Sequence, residues 1–245
     1  KVFLPNQLPR GGSDPSGPLP SVDVRFATED GVELHGWWLE HPRARATILY
    51  CHGSAGHLLH HGGVLETLYG LEVNLLAFDY RGYGESGGVP SEEGLYRDAR
   101  AAFDYVTGEL GRAPQTTLLF GHSLGGAVAV DAALHRPAAG LVVQASFTGV
   151  RELARLRHPQ LSWVARRQFS SLDKVAHLDL PKLFVHGTAD ETIPLAHSHD
   201  LFERASSPRQ LYLVPQAGHN DVHVQGGVDY RRQLSSFLDR CLARE

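Results

Sequence analysis

A short apolar run, Thr117-Leu118-Leu119-Phe120, leads directly into Gly121-His122-Ser123-Leu124-Gly125, and an alanine- and valine-rich stretch from Gly126 to Leu134 leads out. That succession predicts a strand, a sharp turn and a helix. A serine at such a turn takes a strained backbone conformation, and the glycines two before and two after it let strand and helix approach closely. The turn pushes Ser123 Oγ outward, which makes Ser123 the candidate nucleophile. G-x-S-x-G by itself is weak in a chain with 26 glycines. The strand before it and the helix after it make it specific.

The rest of the chain repeats the same alternation. Val22–Thr28 and Val32–Leu39 alternate apolar and polar residues around Asp30-Gly31 and predict an antiparallel hairpin at the edge of a sheet. Thr47–Cys51 is continuously apolar, as a strand covered on both faces should be. Strands are then expected at Val73–Phe78, Thr117–Phe120, Leu141–Ala145, Lys182–Val185 and Gln210–Val214. Helices are expected at Leu58–Tyr69, Ser91–Leu110 with Ser91 as N-cap, Ser123–His135, Val150–Arg157, Leu195–Ala205 and Val228–Ala243. Alternating strands and helices imply an α/β fold with a doubly wound, mostly parallel sheet. Residues 1–20 are dense in proline and glycine and read as an extended arm, which leaves 21–245 as one domain.

Composition narrows the partners. Hydrophobic residues make up 42%, charged residues 20% and the net charge is −4, an ordinary globular balance with no long basic block for nucleic acid. Cys51 and Cys241 are too few for a disulfide framework and read as reduced thiols. No run approaches the roughly 18 apolar residues of a membrane span, and no signal peptide is present. The chain opens at Lys1 and has no methionine, which points to a processed or trimmed N-terminus. A signal or membrane anchor ahead of Lys1, the compartment and the oligomeric state are all left open.

A serine hydroxyl needs a base to take its proton and a carboxylate to orient that base. In an open parallel sheet these groups gather at the carboxyl ends of strands. The turn after Lys182–Val185 reads His186-Gly187-Thr188-Ala189-Asp190, and the turn after Gln210–Val214 reaches Ala217-Gly218-His219-Asn220. Fifteen histidines make any single one a weak choice. His219 stands out through its loop position behind Gly218, and Asp190 is the favoured acid. Glu191 points elsewhere, Asp221 is too close along the chain to His219, and Ser146-Phe147-Thr148-Gly149 offers no acid. A tetrahedral oxyanion needs preorganised N–H donors. The Leu124 amide is one. The Ser54 amide, in the glycine-rich loop His52-Gly53-Ser54-Ala55-Gly56, is the other.

These motifs, with Phe78-Asp79-Tyr80-Arg81-Gly82-Tyr83-Gly84 and Ile193-Pro194, resemble the α/β-hydrolase superfamily from about Val22 to the C-terminus. Within it the chain looks most like small-capped serine hydrolases, among them bacterial carboxylesterases and lipid-thioester (depalmitoylating) hydrolases. The resemblance implies a sheet of about eight strands flanked by helices. It also implies cleavage of esters or thioesters through a Ser123 acyl-enzyme, without a cofactor. One departure is Ser54, where relatives with this loop often carry asparagine. An acyltransferase or serine peptidase could use the same three residues. A non-catalytic binding module on this fold normally lacks one of them.

Other features carry blander readings. Asp79 and Arg81 are expected to brace the loop below the site. His57, His60 and His61 suggest a metal, but no third ligand of suitable spacing accompanies His57 and His61, so a solvated helix face is preferred. Residues 146–180 leave room for a short cap. There Arg151, Arg155, Arg157, Arg166 and Arg167 interleave with Leu153, Leu156, Leu161, Trp163, Val164 and Phe169, around Pro159. Such a basic amphipathic surface can contact anionic lipid, although a lid helix with one solvated face is the preferred reading, in part because Pro159 interrupts the helix.

Overall fold

A computed structural model describes residues 2–8, 19–157 and 168–243 of the chain. Two small strands, β1 (Leu4–Pro5) and β5 (Ala55–Gly56), pair in parallel. The other eight, β2 (Ser21–Ala27), β3 (Glu33–Leu39), β4 (Thr47–Cys51), β6 (Asn74–Phe78), β7 (Thr117–His122), β8 (Gly140–Gln144), β9 (Lys182–Gly187) and β10 (Arg209–Val214), form one sheet. Its order is β10-β9-β8-β7-β4-β6-β3-β2, and every neighbouring pair is parallel except β6 with β3 and β3 with β2. This is the doubly wound, mostly parallel sheet of the α/β-hydrolase fold.

Alternation along each strand divides the core between two faces. Ile48 and Tyr50 of β4 and Leu118 and Phe120 of β7 point to one side. There they meet Leu65 and Leu68 of α1 (Gly62–Tyr69) and Leu234 and Phe237 of α7 (Val222–Leu242). Leu49 and Leu119 point to the other side. They meet Ala99 and Phe103 of α2 (Glu92–Asp104) and Val128 of α3 (Leu124–His135). Both cysteines are buried and free.

The hairpin forms as its alternation predicts, with Gly31 at φ 78° in the turn. However, β3 lies inside the sheet and is buried from Leu34 to Leu39, so of the two hairpin strands only β2 is an edge. Ser91 caps α2 by accepting from Gly94 N at 3.1 Å. The last turn of that predicted helix, Tyr105–Glu109, widens into a π turn. The predicted Leu58–Tyr69 helix begins as a 3-10 turn, Leu58–His61. Helix α7 starts at Val222 rather than Val228 and breaks at Gly227, where φ is 46°. The regular apolar period begins only beyond that glycine, which is why the first turn carries no periodic signal. In the cap, α4 (Val150–Arg157) and α5 (Ser171–Val175) are helical. The expectations for Pro159, Leu161, Trp163, Val164, Arg166 and Arg167 fall outside the described residues, and the side chains of Leu156 and Arg157 do as well. No described helix is long and apolar enough to cross a membrane.

Segment 2–8 of the arm lies along the turns that follow β4 and β6. Leu4 N donates to Ser54 O at 3.1 Å, Gly84 N to Asn6 O at 3.0 Å and Leu8 N to Gly84 O at 2.7 Å. The ring of Phe3 meets Phe169 of the cap edge-on at 6.0 Å.

Candidate active site

The carboxyl ends of β4, β7, β9 and β10 carry, in order, Ser54, Ser123, Asp190 and His219 in the turns that follow them. Parallel strands that all end on one edge of the sheet bring these distant turns together. Ser123 adopts φ 54° and ψ −117°, a conformation that costs a non-glycine residue on the order of 1–3 kcal/mol. The packing around it enforces that geometry. A Cβ at Gly121 would stand 2.2 Å from Gly125 O, and one at Gly125 would stand 2.0 Å from Cys51 O. Only glycine at both positions lets β7, α3 and β4 close around the turn.

Ser123 Oγ lies 3.0 Å from His219 Nε2, and His219 Nδ1 lies 2.7 Å from Asp190 Oδ2. Serine donates to the imidazole and the imidazole donates to the carboxylate. The Asp190 side chain is fully buried. Burial pushes its carboxyl up, but His186, His219 and the Ile193 amide outweigh that and hold it well below the usual carboxylate range. His186 Nε2 stands 3.3 Å from Asp190 Oδ2, and the Thr192 and Ile193 amides both donate to Oδ1 at 2.8 Å. Asp190 is thus an ionised acceptor fixed in position.

The two expected oxyanion donors sit on peptides that are each held from the carbonyl side. In a planar trans peptide the C=O and N–H point in opposite directions, so fixing the oxygen aims the hydrogen. His52 Nδ1 donates to Gly53 O at 2.7 Å, which sets the plane carrying Ser54 N–H. Ser146 Oγ donates to Ser123 O at 2.7 Å, which sets the plane carrying Leu124 N–H. Leu124 is the first residue of α3, where helix geometry provides no intrahelical acceptor. The loop lies against Ser123, since a Cβ on Gly53 would stand 3.5 Å from Ser123 Cβ.

Three further residues organise the site without having been singled out by the sequence patterns. His122 Nε2 donates to His219 O at 3.0 Å, tying the turn after β7 to the loop that carries His219. Burial, assisted by His219, lowers its pKa to about 4. His186 lies within a motif that drew attention only through Asp190, and Ser146 lies in a turn searched only for an acid. Asp79 sits below the loop, accepting Leu58 N at 3.1 Å with His52 Nε2 at 3.6 Å. Arg81 pairs with Asp98 and Asp30, each at 2.8 Å. Among the described residues, no group of three His, Cys, Asp or Glu side chains is arranged to hold a metal ion.

Comparisons with known proteins agree with this architecture. The esterase Pf2001 of Pyrococcus furiosus superposes with a TM-score of 0.82 over 98% of both chains at 19% identity, a likeness of fold. The Mycobacterium tuberculosis protein Rv2307c is 36% identical over 238 residues, spanning 91% of this chain and 84% of that one. The α/β hydrolase domain-containing protein WAV2 of Arabidopsis thaliana is 30% identical over 241 residues, spanning 89% of this chain and 78% of that one. A family model described as serine aminopeptidase, S33, matches residues 42–174. With that match across more than half of its length, the chain belongs to the serine aminopeptidase S33 family and is a serine hydrolase of the α/β-hydrolase superfamily.

Proposed function

We propose that the protein cleaves carboxylic esters or thioesters through an acyl-enzyme on Ser123. The observation that carries this reading is the continuous chain of donors and acceptors from Ser123 Oγ through His219 to Asp190, at 3.0 and 2.7 Å. In acylation, His219 Nε2 takes the hydroxyl proton as Oγ bonds to the acyl carbon, and the carbonyl electron pair moves to the oxygen. The Ser54 and Leu124 amides receive that oxyanion, each worth on the order of 3 kcal/mol of barrier. Collapse of the intermediate breaks the bond to the alcohol or thiol, which takes the proton from His219. Water then repeats the sequence against the acyl-enzyme and returns Ser123 to its hydroxyl. Asp190 holds His219 in the required tautomer throughout. Each step proceeds with side chains and amides alone.

An aminopeptidase, the activity in the family's description, would additionally need an acid to hold a substrate ammonium. Among the described residues, no Asp or Glu lines the cleft beside His122, which favours the ester and thioester reading. The test is turnover of p-nitrophenyl acyl esters and the matching thioesters, with labelling by a fluorophosphonate. Ser123→Ala should abolish labelling and lower kcat by at least about 10^3-fold. Retention of wild-type turnover by that variant would overturn the assignment.

A further inference from the structure

Behind the elbow lies a cleft of about 500 Å³ that the triad chemistry does not use. Tyr50, His60, His61, His122, Gln144, Asn220 and His223 supply its polar groups, and Ala55 and Val64 are the aliphatic side chains among the described residues that line it. Among the described residues, no Asp, Glu, Lys or Arg lines it. Two of these residues are the chain neighbours of the triad: His122 precedes Ser123 and Asn220 follows His219. The rings of His122 and His219 lie 5.0 Å apart, so the His122 ring stands between the cleft and His219.

That placement bears on which half of a substrate the cleft would meet. The proton that His219 takes from Ser123 is returned to the leaving atom, which must therefore come within hydrogen-bond reach of His219 Nε2. The alcohol half of an ester is held on the side of the base. Resting on the hydrolase reading above, we infer that the cleft is a leaving-group pocket for an uncharged, polyhydroxylated alcohol, and that His61, Asn220 and His223 recognise its hydroxyls.

Three observations support the class of ligand. His61 Nε2 is buried without a hydrogen-bond partner while its Nδ1 meets Tyr50 Oη at 3.2 Å, so one donor or acceptor position on that ring is open. Burial also keeps the His61, His122 and His223 rings below their ordinary pKa, and neutral imidazoles both donate and accept, as hydroxyl groups do. Finally, the space is kept open by backbone: a Cβ on Gly63 would stand 3.0 Å from His223 Nε2. A phosphate, carboxylate or ammonium would find no countercharge in this lining, and an alkyl chain would leave its polar groups without partners.

The experiment compares kcat/KM for esters of one acid with three alcohols: glyceryl monobutyrate, ethyl butyrate and butyrylcholine. The expected result is a preference of at least about tenfold for the glyceryl over the ethyl ester, with no gain for the choline ester. His223→Leu, and independently Gly63→Ala, which adds one methyl group beside His223, should each reduce the glyceryl-to-ethyl ratio several-fold. Equal rates for glyceryl and ethyl esters overturn the pocket while leaving the hydrolase reading in place. So does a ratio unchanged in both variants, or a preference for the choline ester. Absence of Ser123-dependent turnover of all three overturns both.

Discussion

Ser146 Oγ donates to the carbonyl of Ser123 at 2.7 Å, a bond from the turn after β8 to the backbone of the proposed nucleophile. It fixes the peptide whose other end is the Leu124 amide. Ser146 also stands close to α3, since a Cβ on Gly126 would lie 2.5 Å from its Oγ. Ser146→Ala should therefore lower kcat about tenfold with little change in KM, because the lost restraint matters only once negative charge develops on the acyl oxygen. Steady-state kinetics on one p-nitrophenyl ester would check this. A rise in KM at constant kcat would place Ser146 in substrate binding instead.

Asp190 has a second role beside orienting His219, because it also accepts from the Thr192 and Ile193 amides. Asp190→Asn leaves a side chain of the same shape whose amide can present an N–H toward His219 Nδ1, favouring the wrong tautomer. The expected loss in kcat is on the order of 10^3- to 10^4-fold, with the protein still folded. Kinetics combined with circular dichroism would separate this from unfolding.

His122 links acidity to stability. Its folded-state pKa of about 4 lies below the ordinary histidine value of about 6.5, so between these limits the unfolded chain binds the extra proton. Its stability contribution is fully present above about pH 6.5 and is lost as the pH falls toward 4. At pH 5 the cost is about 2 kcal/mol. Urea denaturation at pH 7 and pH 5 should show His122→Gln losing less stability on acidification than the wild type, by about that amount. An identical loss in both would exclude His122 as a source of the acid sensitivity.

The arm segment holds the loop of Ser54, the second oxyanion donor of the proposed mechanism. Leu4→Pro removes the N–H that donates to Ser54 O, whereas Leu8→Pro removes one that donates to Gly84 O, away from that loop. The first substitution should lower kcat about five- to tenfold and the second much less. Comparing the two variants by kcat and by rate of fluorophosphonate labelling tests the relationship, since general loosening of the arm would affect both alike.

Gly125 tolerates no side chain. A Cβ there would meet the backbone oxygen of Cys51 at 2.0 Å, and neither β4 nor α3 can yield without disrupting the sheet. Gly125→Ala should destabilise the fold by more than about 3 kcal/mol, measurable by urea denaturation or as loss of folded protein on expression.

Much of this molecule was legible along the chain because its signals are local. The continuous apolar run in β4 marked a strand covered on both faces, the apolar run in β7 marked the strand before Ser123, and Asp30-Gly31 marked the hairpin. The turns after β7, β9 and β10 exposed Ser123, Asp190 and His219 as candidates, since each lies in the turn that follows an expected strand. The interior position of β3 could not be read, because a strand's own pattern does not say which partner will cover it. Nor could the start of α7, where Gly226 and Gly227 interrupt the period. Tertiary structure alone decided the restraints between separate turns: Ser146 on Ser123 across 23 positions, His122 on His219 across 97, and the arm on Ser54. The physical reason is that a polar side chain carries no periodicity announcing its acceptor. Only the parallel strands that end on one edge of the sheet bring such donors within reach of a carbonyl.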